Sequence, residues 1–303
     1  METIVQQAFL VRPSISVWTA RKLDRAVTRK TADQNHATDK ARVKVYKSLI
    51  SDKALEAVQE ISNKARSEHR KRTVPWHYDG PGAITAAGYA DYLREMESLQ
   101  AAFSQAVEAL LSAYAPAREA ARADLGTMYD ETDYPAVDVL RQRFSFTVAS
   151  EPIPQSADFR VVGLSDAQSK SIKADMEKRL NEALEKAQGD CWDRIVKRVE
   201  HMRDTLRQYQ SADESTSGKV QGKFHDTLVG NVRELISVLP SLNITNNPDL
   251  TAIAVRLERE LCAEEASTLR EDATTRKSVA DSAEQILQDV WAKRRATRLQ
   301  AAA

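Results

Sequence analysis

A mainly α protein is the fold the sequence predicts: elongated, built on long antiparallel helices, with a small β element. Three observations predict it. Glycine and proline are scarce, nine of each in 303 residues, which disfavours a strand-and-turn architecture. Apolar residues recur every three or four positions over most of the chain. Only two stretches, at the N-terminus and between about residues 143 and 163, alternate in the manner of strands.

The elements follow in order. "TIVQQAFLVRPSISVW" is β-branched and partly alternating, and Pro13 interrupts it, so one or two short strands are expected. From about Arg21 to Arg72 the pattern is helical with a break near "ADQNHATD"; Thr38 or Asp39 caps a second piece and Ser51 or Asp52 a third. Val43, Tyr46, Leu49 and Ile50 are expected on one apolar face, continued by Leu55, Val58, Ile61 and Ala65. "TVPWHYDGPG" connects this helix to the next. Pro75 and Pro81 exclude helix there, and Trp76 and Tyr78 are expected to fold back as packing residues, while His77 has no evident partner.

A long helix with a stripe from Tyr89 to Tyr114 comes next, with Pro116 expected to kink or end it. Strands are expected near 143–149, carrying Phe144, Phe146 and Val148, and near 158–163, carrying Phe159 and Val161. Ser165 and Gln168 form a capping box that opens a helix of about 45 residues. Its stripe from Ile172 to Tyr209 has a period of about 3.7, too long for a strict coiled-coil seam at about 3.5. At about 1.5 Å per residue it would reach roughly 65 Å. The polar "SADESTSGKVQGK" reads as a flexible linker over 211–223, which divides the chain into a helical domain at 1–210 and a C-terminal helical segment at 224–303. That segment is expected to pack on the long helix or on a neighbouring subunit. Pro248 with Asp249 marks a helix start in it.

Charge is balanced overall, 44 basic against 44 acidic residues, but unevenly placed. Trp18 to Thr73 holds 15 Lys and Arg against 7 Asp and Glu, a net of +8; Ala87 to Asp138 holds 3 against 10, a net of −7. Two segments of opposite sign predict partial mutual neutralisation. No apolar run of about 18 residues occurs, so no membrane span is expected, and "METIVQQAFLVRPS" lacks the positive start of a signal peptide. Cys191 and Cys262 sit in helical patterns and read as buried thiols of a cytoplasmic protein.

No motif specifies a reaction. "GKVQGKF" has three residues between its glycines rather than four and no Ser or Thr after Lys223, so it is not a phosphate loop. None of the five histidines stands three or four residues from another histidine or a cysteine, so no metal ligand set is expected. No Gly-x-Ser-x-Gly nucleophile elbow occurs. Catalytic, cofactor-binding and metal residues are therefore expected to be none. The basic run "RKLDRAVTRK" at 21–30 is open to nucleic acid, and the basic runs at Arg70, Lys71 and Arg72, beside aromatics, and at Arg294 and Arg295 are the candidate nucleic-acid contacts. A self-association surface is expected on the long helix at Leu180, Leu184, Ile195, Val199 and Leu206, because one domain cannot cover so long a stripe.

The segments "ISVWTARKLD", "TVPWHYDGPG", "DYPAVDVLRQRFSF" with "PIPQSADFRV", and "FHDTLVGNVRELISVLPSLNIT" with the following Asn-Pro-Asp stand in an order and spacing that resemble an uncharacterised bacteriophage family, over about residues 14 to 292. Members are encoded in tailed phages, often near a MoxR-like or CobS-like AAA+ ATPase gene. The resemblance implies a phage origin, action in the cytoplasm of an infected bacterium and an AAA+ ATPase as partner. It transfers no site residues. The leading expectation is a non-enzymatic protein that acts by binding macromolecules, as a homo-oligomer or as an ATPase adaptor. The alternative is a DNA-binding protein of phage replication or recombination.

Overall fold

The computed structural model describes residues 7–76, 81–216 and 219–301. His77 and Tyr78 of the "TVPWHYDGPG" stretch lie outside the described residues. The protein is mainly α with a small antiparallel β element. Its helices are α1 (Arg25–Gln34), α2 (Asp52–Arg72), α3 (Ala86–Leu125), α4 (Val137–Arg141), α5 (Asp166–Gln208), α6 (Thr227–Leu242), α7 (Pro248–Leu261), α8 (Ala266–Glu271) and α9 (Ala273–Ala301). The strands are β1 (Ala8–Ser16), β2 (Arg21–Leu23), β3 (Tyr46–Ser48), β4 (Val74–Pro75), β5 (Gly82–Thr85) and β6 (Ser145–Pro152), in a four-stranded sheet of order β4-β5-β1-β6 and a β2-β3 pair.

Contacts divide the chain into two units. The first holds residues up to Arg12, His69–Tyr92 and the chain from Ser150 onward; the second holds Pro13–Glu68 and Leu93–Ala149. This division follows space rather than sequence, since 150–303 group together across the 211–223 stretch that the sequence suggested as a boundary.

In the first unit, α5 packs on α9 and α6, and α7 on α6 and α9. The stripe read from the sequence supplies the core: Ala187, Cys191, Ile195, Val199, Met202 and Leu206 of α5 are all buried, against Leu239, Leu257, Ile286 and Leu287. Both halves of the predicted capping box form, with the Gln168 amide N–H donating to Ser165 Oγ at 3.3 Å and the Ser165 N–H to Gln168 Oε1 at 2.9 Å. Asn247 caps α7 through the Asp249 N–H, with Pro248 at the first helical position.

"TVPWHYDGPG" is a hairpin rather than a plain connection. Val74 pairs with Ala83 and Pro75 with Gly82, and the Trp76 N–H donates to the Pro81 carbonyl at 3.2 Å. Val74 and Trp76 reach the unit's core. Gly82 lies so near Thr73 that a Cβ would stand 2.2 Å from the Thr73 hydroxyl, which explains a glycine there. β1 runs through Pro13 because its pairing with β5 ends at Val11, so no ladder N–H is needed on that side.

The carbonyls at the C-terminal end of α2 are served by two side chains, the Thr73 hydroxyl, which donates to the His69 carbonyl at 2.7 Å, and Arg194. The Arg194 guanidinium of α5 donates to the carbonyls of Arg70, Lys71 and Thr73 at 2.8–2.9 Å, while its Nε bonds Asp190 at 2.6 Å. It fills acceptor sites that the last turn of a helix leaves open and sets a cation at the negative end of the dipole. Within 210–223, Gln210, Glu214 and Gln221 make defined contacts. Gln210 and Gln221 exchange both backbone hydrogen bonds, and buried Arg276 holds Glu214 while donating to the Leu269 and Arg270 carbonyls and lying 5.2 Å over the Tyr209 ring.

The second unit is centred on α2 and α3, with Leu55, Val58, Phe103, Val107, Leu110, Leu111, Tyr114 and Trp18 in its core. Helix α3 passes through Pro116 without ending. Two expectations fail in the β segments. Residues 158–163 form no strand; Phe159 follows a 3-10 turn and Val161 and Val162 are 58% and 93% exposed, with no neighbouring strand to cover them. The helix expected from Thr38 to Ile50 is a 3-10 turn and then β3, because β2 and β3 pair with each other.

Candidate nucleic-acid interface

Residues 21–48 of the second unit fold as strand, helix, strand. Asp24 caps α1 by accepting from the Val27 N–H at 2.9 Å. The Asp24 N–H donates to the Val45 carbonyl at 2.9 Å, and Thr28 Oγ1 accepts from the Val45 N–H at 3.0 Å, so the start of α1 is fixed to the start of β3. At the other end His36 takes a positive φ of 49° and turns the chain back. Asp39 then accepts from the Ala41 N–H and opens the 3-10 turn Lys40–Arg42.

This stretch carries nine Lys and Arg against three Asp, a net of +6. Strand register sorts part of that charge. Arg21 pairs with Ser48, Lys22 with Lys47 and Leu23 with Tyr46. Side chains alternate in direction, so Lys22 and Lys47 share one face while Arg21, Leu23, Tyr46 and Ser48 share the other. On the first face both lysines reach Asp133, at 3.4 and 2.8 Å, and buried Lys47 also donates to the Met128 carbonyl at 2.5 Å. Asp133 belongs to the acidic segment, so part of the expected neutralisation takes place here.

The rest of the charge is free. Lys40 pairs with Asp33 at 2.6 Å, but Arg21, Arg25, Arg29, Lys30, Arg42 and Lys44 are exposed and none has an ion-pair partner among the described residues. Arg25 and Arg29 stand one turn apart on α1. Tyr46 is 56% exposed, unusual for an aromatic ring, and shares its face with Arg21.

Arg21 also lines a cavity of about 430 Å³, together with Val17, Trp18, Thr19 and a stripe of α2 formed by Asp52, Gln59, Ser62, Asn63 and Arg66. The Ser62 hydroxyl donates to the Val58 carbonyl at 2.7 Å and Arg66 to the Ile15 carbonyl at 3.3 Å. The amides of Gln59 and Asn63 are exposed and have no hydrogen-bond partner among the described residues.

The residues singled out by sequence are placed as follows. Lys71 pairs with Glu234 at 2.5 Å and Arg294 with Asp193 at 2.7 Å; Arg72 is partly buried, Arg70 is exposed and has its carbonyl held by Arg194, and Arg295 is exposed. Ile195, Val199 and Leu206 lie in the first unit's own core, with Leu180 and Leu184 partly buried against it. Trp76 is 4% exposed, and Pro75 and Pro81 flank it in the hairpin.

Described residues of the first unit also line a polar cleft and an apolar groove. A polar cleft of about 530 Å³ brings His201 and Asp204 of α5 to Lys223, His225 and Asn231, although no group of three metal-ligating side chains occurs among the described residues. An apolar groove of about 470 Å³ runs along Leu239, Pro240, Leu250 and Ala254. Burial pushes the Cys191 thiol up to about 12 and the Cys262 thiol up to about 11, which removes both as nucleophiles near neutral pH.

Sequence reasoning offered the basic run "RKLDRAVTRK" as open to nucleic acid and expected the acidic helix to neutralise part of the region, without separating the used cations from the free ones. Three-residue strands leave no periodic signal, so the separation of Lys22 and Lys47 from the free cations, and the exposure of Tyr46, required the fold. Among the described residues no helix is long and apolar enough to cross a membrane. No family model, curated protein or solved structure matches the chain.

Proposed function

We propose that the protein acts by binding nucleic acid, through the basic surface of residues 21–48, and that it binds rather than catalyses. The observation that carries this reading is the set of six exposed cations without ion-pair partners beside an exposed tyrosine. Cations that serve the fold are neutralised in place, as Lys22 and Lys47 are by Asp133. A patch left unneutralised in a chain of zero net charge attracts phosphate, and each contact releases a condensed counterion. The resemblance to a phage family is the support for a phage origin and for work beside an AAA+ ATPase; a role in replication or recombination of phage DNA rests on the nucleic-acid reading itself.

Fluorescence anisotropy with a labelled oligonucleotide tests this. Arg25→Glu with Arg29→Glu should weaken binding at least tenfold at 100 mM salt, with an unchanged melting temperature. Loss of binding on Arg295→Glu alone would instead place the interface on α9. Absence of binding by the wild-type protein would remove the reading.

Self-association is a second reading, supported by the start of α5. Ile172 is 36% exposed and follows the exposed Val161 and Val162. The large stripe residues farther along are covered by the chain's own helices, so any partner copy would sit on this end. Light scattering on wild type and Ile172→Asp tests it, and a monodisperse monomer would contradict it.

A further inference from the structure

We infer that the cavity beside Arg21 receives an unpaired base, so that the preferred partner is single-stranded nucleic acid. This rests on the nucleic-acid reading above and goes further by naming the form of the partner. Three observations converge in the second unit. The cavity is about 430 Å³, within the range of pockets that hold small organic ligands. Its α2 wall presents the free amides of Gln59 and Asn63 and the carboxylate of Asp52, which offer the donors and acceptors that read a base edge. Its mouth is shared with the phosphate-binding surface, because Arg21 lines the cavity and lies on the same strand face as the exposed Tyr46.

On paired strands, Arg21 and Tyr46 are diagonal neighbours, with their Cα atoms about 7–8 Å apart, close enough for their long side chains to act on one nucleotide. The Tyr46 ring offers one base a stacking surface. Arg21 takes the adjoining phosphate, and the next base enters the cavity. A base held within a duplex cannot do this without leaving its stack. The cations of α1 and of Arg42–Lys44 then follow the backbone on either side.

The test compares a labelled 20-mer single strand with the duplex of the same sequence, using the full-length protein. The single strand should bind at least tenfold more tightly. Tyr46→Ala should weaken single-strand binding about tenfold and leave its salt dependence unchanged, since stacking involves no counterion. Asn63→Ala should narrow the affinity differences among homopolymer strands, again at constant salt dependence. Both side chains are exposed, so circular dichroism should show wild-type folding. Equal affinity for strand and duplex would overturn the inference, as would indifference to Tyr46→Ala and Asn63→Ala, and in both cases phosphate binding through Arg25 and Arg29 would stand. A nucleoside monophosphate that competes as strongly as the oligomer would also overturn it, by making the cavity a free-nucleotide site. Failure to bind either nucleic acid removes the underlying reading as well.

Discussion

His69 is the residue most sensitive to its surroundings. Burial, helped by the neighbouring Arg70 charge, lowers its pKa from 6.5 to about 4. Burial raises the Tyr92 hydroxyl, so that group stays protonated, and it shares a hydrogen bond of 3.0 Å with His69 Nδ1. The folded protein holds His69 neutral, whereas the unfolded chain protonates it near its ordinary value. The stability from this group is therefore complete above about pH 6.5 and declines as pH falls toward 4, by about 2 kcal/mol at pH 5. Urea unfolding of wild type and His69→Gln at pH 7.5 and 5 should show the acid loss in the wild type and a smaller one in the variant. Equal losses would assign the acid sensitivity to other groups.

Arg194 is read at the same scale. Its guanidinium spans three carbonyls at the end of α2, which a lysine ammonium cannot do from one point. Arg194→Ala should cost about 2–3 kcal/mol, and Arg194→Lys should recover only a minor part. A melting temperature unchanged in Arg194→Ala would show that water serves those carbonyls equally well. Neither residue was legible in the sequence. A histidine and an arginine inside helical patterns look like solvated positions, and only packing across more than a hundred residues gives Arg194 its partners.

At the scale of elements, local chemistry was legible where it acts over a few residues. The Ser165–Gln168 box, the Pro248–Asp249 start and the α5 stripe from Ala187 onward are set by neighbours in sequence and appear as read. Elements made by long-range pairing were not. The β2–β3 pair joins residues more than twenty apart through three-residue strands, and 158–163 alternates without a partner strand to complete it. Arg276 with Glu214 and the Gln210–Gln221 bridge are likewise long-range or cross-loop contacts that composition does not announce. Next to the paired β4 and β5, Trp76 is buried in the first unit's core. Trp76→Ala should lower stability by about 3–5 kcal/mol, the cost of truncating a buried aromatic, and thermal denaturation measures it. A shift of less than about 1 kcal/mol would mean the hairpin is held by its strands alone.

For the whole molecule, zero net charge hides a separation of charge that only the fold sorts into a neutralised set and a free set. The neutralised set includes Lys22, Lys47, Lys71 and Arg294; the free set is Arg21, Arg25, Arg29, Lys30, Arg42 and Lys44, of which Arg21 shares a strand face with Tyr46 and lines the cavity. A basic N-terminal region was legible from charge counts alone, but which of its cations were already in use was not. If the free set binds the phosphates of a strand, affinity must fall with salt in proportion to the contacts made. The most direct measurement is the slope of log K against log salt for a single-stranded oligonucleotide, in wild type and in the triple variant Arg25→Glu, Arg29→Glu, Lys30→Glu. Six contacts predict a slope of about −4 for the wild type, falling in magnitude to about −2 in the variant. A wild-type slope near zero, or the same slope in both proteins, would contradict nucleic-acid binding by this surface.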